Sequence, residues 1–407
     1  MAKLELLVSP PGTGKTTYCI DLFRKEILKS PGGLDSRAYF VLPNREHAGR
    51  IQHLVLKKDV PGLFNVHIMT IQELGLGLLG GSQPPKPSES LRRSILRRLL
   101  EDASLPLPTF SGVRDLPGFY ELLSERLQEF KASLFDAQEL ERRSKKIVKD
   151  PVFQAKVRDF IALMNGYDAE LASRGLSEAE DSLARLAAGP PRRAVDTQLI
   201  ILDGFYHFTR AQRRLIGALA RRTERMVVTL TLPEDPLKRP HVFELVEDTR
   251  RFLADLGFVR PRTSRAGSGG FLAQNRRVTE RALIHLERAI FLPKPNVFDS
   301  QQNALRVFTA ETAHDEVENI AREIRRIHRD TDWHFSDIAV ILRGVKGYDK
   351  MIALVFDEYG IPVHVHERKR TLESGFGRFV HRFLGLLLSD WRGTDLLPLL
   401  RSGYGPA

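Results

Sequence analysis

Eight consecutive residues near the N-terminus combine glycines with a lysine and hydroxyl groups, in the order Ser9-Pro10-Pro11-Gly12-Thr13-Gly14-Lys15-Thr16. This order matches the phosphate-binding loop GxxxxGK[ST], except that Ser9 stands at the first glycine position. Gly12 and Gly14 allow backbone N–H groups to approach phosphate oxygens, where a side chain would collide. Lys15 supplies a cation for the β- and γ-phosphates, and the Thr16 hydroxyl is a ligand for Mg²⁺. The predicted nucleotide-binding residues are Pro11, Gly12, Thr13, Gly14, Lys15, Thr16 and Thr17.

The elements around this loop are those that phosphate binding requires. The apolar run Leu4–Val8 predicts a buried strand before the loop, and the pattern from Lys15 to Leu28 predicts a helix after it. The positive end of that helix would face the phosphates. A glycine-rich turn without function is the alternative, and the strand–loop–helix context favours ATP binding.

A second candidate residue is Asp203, which follows the apolar run Leu199–Leu202. An aspartate at the end of a core strand can hold Mg²⁺ through water, so Thr16 and Asp203 form the predicted magnesium site. The predicted catalytic residues are Lys15 and Asp203. The alternative for Asp203 is a turn residue after a core strand.

The next residue is Gly204, where such ATPases usually carry a glutamate that polarises the attacking water. Glycine cannot act as a general base, so we predict ATP binding with weak or no hydrolysis.

The strands that position these residues alternate with helices, which predicts an α/β fold with a parallel sheet. The predicted strands are Leu4–Val8, Ala38–Pro43, Val66–Thr70, Thr197–Leu202 and Arg225–Leu232.

Between the third and fourth strands, residues 89–186 show helical periodicity, which predicts an all-helical insertion. A second α/β unit begins near Ala304, with predicted strands at Leu305–Phe308, Ile338–Leu342 and Ile361–Val365. We therefore predict a first domain at 1–80 plus 190–300, a helical insertion at 81–189 and an incomplete second domain at 301–407.

The segment Asp203-Gly204-Phe205-Tyr206-His207-Phe208-Thr209, followed by Gln212, resembles the DGF-x-x-FT segment of the B subunits of ATP-dependent helicase/deoxyribonuclease, the AddB type. These are relatives of the UvrD-like superfamily 1 helicases. Val41–Asn44 resembles motif Ia, and Met69–Leu74 resembles motif Ib. Asp337–Arg343, followed by Tyr359–Val363, resembles the start of the second RecA-like domain with motif IV.

This resemblance implies two RecA-like domains of P-loop NTPase type, with ATP and Mg²⁺ as ligands. It implies contacts of Asn44 and Thr70 with single-stranded DNA, for which turn and capping roles are the alternatives. It places Arg343 near the γ-phosphate, for which an ordinary strand-end arginine in water is the alternative. The implied partners are DNA, as double-strand ends and single strands, and a helicase–nuclease A-type subunit, with a role in double-strand break repair and recombination.

Three departures from the family pattern bear on activity. Only eight residues precede Ser9, which leaves no room for an adenine-reading glutamine, and no Gly-Asp-x-x-Gln motif follows the strand that ends at Leu232. The sequence ends at Ala407, before the later helicase motifs and the nuclease domain of such subunits. We expect the N-terminal part of such a subunit, or a shortened relative, that is not a nuclease by itself.

The charge of the chain agrees with a polyanionic partner. Its 407 residues include 62 Lys and Arg against 51 Asp and Glu, a net charge of +11. The arginines fall into groups such as Arg92, Arg93, Arg97 and Arg98, which are either a phosphate-binding surface or the solvent-exposed face of an amphipathic helix.

The single cysteine, Cys19, excludes an intrachain disulfide and a cysteine-based metal cluster. The short, interrupted apolar runs predict a cytoplasmic protein with no membrane segment and no signal peptide.

Three other functions compete with this interpretation. A stand-alone superfamily 1 DNA helicase is disfavoured by Gly204 and by the absence of the later motifs. A non-enzymatic DNA-binding scaffold with a relic P-loop would fail to bind ATP. A small-molecule kinase is disfavoured by the helical insertion and the basic excess.

Overall fold

The computed structural model describes residues 2–29, 37–56, 67–79, 84–102, 104–116, 118–133, 137–147, 150–178, 197–233, 235–261, 280–344, 347–364, 374–388 and 391–404. These residues form two compact units, which divide between Ala304 and Leu305. The domain boundaries predicted near residues 80 and 190 lie outside the described residues.

The first unit contains a five-stranded, fully parallel sheet. Its strands are β1 (Lys3–Ser9), β2 (Ala38–Leu42), β3 (His67–Thr70), β4 (Leu199–Leu202) and β5 (Arg225–Thr231). They lie in the order β1–β5–β4–β2–β3, and each falls within two residues of its predicted position. The predicted α/β fold class is therefore confirmed. Because all strands are parallel, the loops after β1 and β4 meet at one edge of the sheet.

Helices cover both faces of this sheet, which explains why the strands are continuous apolar runs. On one face, strand residues such as Phe40 and Ile201 pack against α1 (Lys15–Ile27) and α2 (Arg45–Val55). On the other face, the strands pack against α3 (Ile71–Leu79), α8 (Arg210–Ala220) and α9 (Pro240–Asp255). A further helix, α10 (Arg281–Ala289), also belongs to this unit.

Four helices between β3 and β4 form a separate apolar core in the same unit. They are α4 (Glu89–Glu101), α5 (Phe119–Ala132), α6 (Ala137–Ile147) and α7 (Pro151–Ser173). The predicted helical stretch 89–186 is thus helical over most of its described part, and residues 179–186 lie outside that part.

The second unit contains helices α11 (Ala313–Asp330), α12 (Tyr348–Glu358), α13 (Gly375–Leu388) and α14 (Gly393–Leu400). Its core joins α11 and α12 through residues such as Val317, Ile324 and Phe356.

The three strands predicted for this second unit are wrong for the residues that the structure describes. Leu305–Phe308, Ile338–Leu342 and residues 361–364 have no regular secondary structure and pair with no strand, and Val365 lies outside the description. A β-strand forms only where a neighbour takes up its N–H and C=O groups, and apolar sequence alone supplies no such neighbour.

Candidate nucleotide-binding site

The loop between β1 and α1 has the backbone shape that its glycines permit. Gly12 and Gly14 have φ angles of 76° and 90°, the left-handed region that disfavours other residues. Gly14 is the N-cap of α1 and makes no side-chain cap, so α1 begins with free N–H groups that face the loop. Thr16 lies half-buried in the first turn of α1, whereas Pro11 and Thr17 are exposed.

Lys15 is buried, and its ammonium group lies against the loop that precedes it. Lys15 Nζ donates to the carbonyl oxygens of Ser9 and Pro10, each at 2.8 Å, and to Ser9 Oγ at 3.2 Å. Burial lowers the pKa of Lys15 to about 8, although the nearby charge of Asp203 acts in the opposite direction. Lys15 and Asp203, the two predicted catalytic residues, are therefore close enough for their charges to interact.

The serine at the first glycine position takes part in a small hydroxyl network. The hydroxyls of Ser9 and Thr13 are 2.6 Å apart, and Thr13 Oγ1 donates to the Pro10 carbonyl at 3.0 Å. Ser9 therefore adds an acceptor for Lys15 that a glycine would not provide.

Asp203 lies at the carboxyl end of β4 and is buried. Thr229 of β5 donates its hydroxyl hydrogen to Asp203 Oδ1 at 2.5 Å, and the same hydroxyl oxygen accepts the Gly204 N–H at 3.3 Å. Thr229 could not be singled out from the sequence, because it stands within the apolar run Arg225–Leu232, where threonine is an ordinary β-branched strand residue.

The residues present fit a magnesium ion, because Mg²⁺ prefers oxygen ligands. The Thr16 hydroxyl makes no hydrogen bond to any other described residue, and the Asp203 carboxylate lies buried beside the loop. These two groups would hold Mg²⁺, Thr16 directly and Asp203 through water. The ion would supply charge neutralisation of the phosphate oxygens.

Asn44 and Thr70, the predicted DNA-contacting residues, are both helix caps in the structure. The Asn44 side chain accepts the His47 N–H at 2.9 Å at the start of α2. Thr70 exchanges hydrogen bonds with Glu73 at the start of α3, and Glu73 also forms an ion pair with Arg45. Both residues lie at the carboxyl ends of the neighbouring strands β2 and β3, at the same sheet edge as the P-loop.

The segment after Asp203 divides into buried and exposed residues. Phe205 and Phe208 are buried in the core with ring centroids 5.0 Å apart, so they are not available to stack on bases. Tyr206 is 59% exposed and lies against the His207 ring. Thr209 and Gln212 form a reciprocal capping box at the start of α8, which explains their spacing.

Ion pairs neutralise the arginine group on α4 that the sequence offered as a phosphate-binding surface. Arg92 is buried and forms a bidentate pair with Glu178, and Arg97 and Arg98 pair with Glu101 and Glu170. Arg93 pairs with Glu89 and Glu121. This group therefore offers little free charge to a phosphate backbone.

The second unit contains two further candidates. Arg343 is exposed and belongs to the second unit. Ligand atoms of His314, Asp315 and Glu318 lie within 4.8 Å of one another. However, Asp315 accepts a hydrogen bond from the Thr312 hydroxyl, and Glu318 accepts from the Tyr359 hydroxyl and from Arg322, so these carboxylates already have partners.

Among the described helices, none is long and apolar enough to span a bilayer.

Comparisons with known proteins place this fold in a family. The chain is 27% identical over 424 residues to the B subunit of ATP-dependent helicase/deoxyribonuclease from Desulforudis audaxviator, and the match covers 98% of this chain and 35% of that protein. The protein of the same name from Geobacillus kaustophilus is 27% identical over 405 residues, 96% of this chain and 34% of the relative. The chain therefore spans about a third of the length of these relatives. The family described as ADDB, N-terminal matches residues 6–287. Since this match covers most of the chain, the protein belongs to the ADDB, N-terminal family.

Proposed function

We propose that this chain binds ATP with Mg²⁺ through Pro11–Thr17 and Asp203, and hydrolyses it weakly or not at all by itself. The observation that carries the proposal is that Lys15 and Asp203 are both buried at the carboxyl edge of the parallel sheet, within range for their charges to interact. The left-handed glycines of the loop leave its backbone N–H groups accessible to phosphate oxygens. The relatives carry the term ATP-dependent in their names, which also supports ATP as the ligand.

In this proposal Lys15 exchanges its contacts with the Ser9 and Pro10 carbonyls for the β- and γ-phosphates. The loop and α1 would bind the phosphates through N–H groups. Gly204 carries no carboxylate that could orient water, so the site retains the nucleotide without efficient cleavage.

Calorimetry with ATP and Mg²⁺ tests the nucleotide site. Lys15→Ala should weaken binding by roughly 10- to 150-fold, the equivalent of a charge-assisted hydrogen bond. Lys25→Ala is the matched control, because Lys25 is an exposed lysine on the same helix. Equal affinities for the unsubstituted chain and Lys15→Ala would contradict the proposal, and no binding by either would favour the scaffold with a relic P-loop.

We further propose that the chain is the DNA-binding, helicase-like part of a helicase–nuclease subunit of the B type, which acts with an A-type subunit in double-strand break repair and recombination. The net charge of +11 and the names of the relatives support DNA as a ligand. The DNA contacts would lie at the carboxyl edge of the sheet, near Asn44, Thr70 and the exposed Tyr206. Arg343 is the further residue proposed to contact the γ-phosphate.

DNA binding predicts a salt dependence that an uncharged surface would not show. Affinity for a single-stranded oligonucleotide should fall by about 0.7 log units per phosphate contact for each log unit of salt. Fluorescence anisotropy at several salt concentrations measures this slope. A flat response would remove the support that the net charge gives to DNA binding. Strand separation by the purified chain would instead favour a stand-alone helicase.

A further inference from the structure

We propose that Thr229 is a positioning residue that fixes the Asp203 carboxylate for Mg²⁺-dependent nucleotide binding. This inference rests on the proposed ATP site and extends it to a residue that lies outside the P-loop.

The position of Thr229 follows from the order of the strands. β5 lies between β1, which leads into the P-loop, and β4, which ends before Asp203. Leu202 is in register with Val228, so the next residues, Asp203 and Thr229, emerge side by side. Thr229 is in register with Leu7 of β1 on its other side. Thr229 thus lies on the strand between the one that leads into the P-loop and the one that ends before Asp203.

The Thr229 hydroxyl makes two bonds that together determine the turn after β4. It donates to Asp203 Oδ1 at 2.5 Å and accepts the Gly204 N–H at 3.3 Å. Both Thr229 and Asp203 are buried. In the described part of the chain, Thr229 provides the only side-chain hydrogen bond to this carboxylate.

A hydroxyl suits this task because it donates and accepts at the same time. With Oδ1 held by Thr229, the carboxylate has one preferred orientation, and Oδ2 remains for a water of the magnesium shell. Groups that orient a metal-binding side chain typically contribute about 10- to 100-fold to metal affinity. Removal of the hydroxyl should therefore reduce the effect of Mg²⁺ on nucleotide binding and leave the Mg²⁺-independent phosphate contacts in place.

The matched control is Thr223, a buried threonine just before β5 at the opposite edge of the sheet. Its hydroxyl also makes two bonds, with Thr197 Oγ1 and the Leu219 carbonyl, each at 2.9 Å. Thr223→Val removes a comparable pair of buried hydrogen bonds without changing the Asp203 carboxylate. A purely structural role of Thr229 would therefore make the two valine variants behave alike.

The experiment measures ATP affinity by calorimetry with excess Mg²⁺ and again in EDTA, and takes the ratio of the two as the Mg²⁺ effect. We expect Thr229→Val to lower this ratio by about 10- to 100-fold, with the affinity in EDTA little changed. Thr229→Ser, which keeps the hydroxyl, and Thr223→Val should keep the ratio of the unsubstituted chain. Should Thr229→Val fail to fold, Thr229→Cys replaces it, because a thiol is similar in size and a weak donor.

A double-mutant cycle with Asp203→Asn gives the decisive comparison. If Thr229 acts through Asp203, Thr229→Val should change the Mg²⁺ ratio no further in the Asp203→Asn chain. An unchanged ratio in Thr229→Val, or a full additional loss in the Asp203→Asn chain, would overturn the role of Thr229 and leave the proposed ATP site intact. Absence of ATP binding by the unsubstituted chain would overturn the proposed function and this inference together.

Discussion

Gly204 lies against the ring of Pro43, and a Cβ atom on Gly204 would stand 3.5 Å from Pro43 Cδ. That distance is an ordinary contact, so space alone does not exclude a side chain. The backbone disfavours a side chain there, because Gly204 has a φ angle of 82°, in the left-handed region that other L-residues avoid. The turn that carries Asp203 therefore favours glycine at the position where such ATPases usually carry a glutamate.

We predict that Gly204→Glu does not restore ATP hydrolysis and lowers the free energy of unfolding. A left-handed residue with a Cβ costs about 1–2 kcal/mol, and the strained turn would move the new carboxylate together with Asp203. ATP turnover and urea unfolding of the purified variant measure both effects.

Two glycine-to-alanine variants separate backbone strain from the added carboxylate. Gly204→Ala should destabilise the chain by a similar amount. Gly49→Ala in α2 should not, because Gly49 has open space around its Cα and no positive φ, and alanine favours helix by roughly 0.5–1 kcal/mol. ATPase activity in Gly204→Glu that disappears in Lys15→Ala would contradict the prediction.

The sheet could be predicted from sequence because each strand is a short apolar run beside a recognisable loop or helix. Lys15, Asp203 and the P-loop glycines were found for the same reason, since their spacing reflects the chemistry directly. Thr229 could not be predicted in this way, because its proposed positioning role depends on β5 lying between β1 and β4. Local sequence does not determine the order of strands in a sheet.

Two other differences have physical causes of the same kind. The apolar runs at Leu305–Phe308 and Ile338–Leu342 look like strands, yet pairing depends on a neighbour that no described residue provides. Arg92 looked like part of a solvated arginine face, but its partner Glu178 is 86 positions away in the chain. Local periodicity contains no information about contacts at that separation.

The second prediction concerns the pH dependence of ATP binding. The pKa of Lys15 is lowered to about 8 by burial, so the free chain loses the Lys15 proton as the pH rises through that value. Bound phosphates favour the protonated amine, so the complex keeps its proton to a higher pH. Affinity should therefore be constant below about pH 7 and fall above about pH 8, by up to roughly tenfold for each pH unit.

Calorimetry at about pH 6.5, 7.5, 8.5 and 9.5 would measure this fall, at roughly constant ionic strength. Lys15→Arg is the informative variant, because its guanidinium stays protonated throughout this range. It should lose the pH dependence even where its affinity is lower. An unsubstituted chain with the same affinity at all four pH values would show that the Lys15 charge does not contribute to phosphate binding.

The third prediction separates stacking from charge in DNA binding. Tyr206 is an exposed aromatic at the edge of the sheet that carries the proposed DNA contacts, and base stacking is worth about 1–3 kcal/mol by alanine substitution. Tyr206→Ala should weaken single-stranded DNA binding by roughly 5- to 150-fold. The slope of log affinity against log salt should stay the same, because no phosphate contact is lost.

Trp333→Ala is the control for this measurement, since Trp333 is an aromatic of similar exposure in the second unit. Fluorescence anisotropy with a labelled oligonucleotide compares the two variants. Equal affinities for Tyr206→Ala and Trp333→Ala would exclude a stacking role specific to Tyr206. A reduced salt slope in Tyr206→Ala would indicate that the substitution disturbs basic residues instead.

The last prediction concerns the buried ion pair that ties α4 to the segment after α7. Glu178 accepts two hydrogen bonds from Arg92, at 3.0 and 2.9 Å, and a third from the Tyr167 hydroxyl at 2.6 Å. Removal of one partner from a buried pair costs about 3–5 kcal/mol, because the remaining charge has no compensation. Glu178→Gln should therefore lower the free energy of unfolding by about that amount. Glu101→Gln, which breaks the exposed pair with Arg97, should cost less than about 1 kcal/mol.

The pH dependence of this stabilisation follows from the pKa of Glu178. Burial alone would raise that pKa, but the hydrogen bonds and charge of Arg92, with the Tyr167 hydroxyl, outweigh burial and lower it. A carboxylate whose pKa is lower in the folded chain contributes stability that is complete above its unfolded pKa, about 4.3, and is lost as the pH falls through the folded value. Urea unfolding followed by circular dichroism at about pH 7 and near pH 4 should show the Glu178→Gln penalty shrink at the lower pH. A penalty of the same size at both pH values would mean that the ionised carboxylate of Glu178 does not stabilise the apolar core of α4–α7.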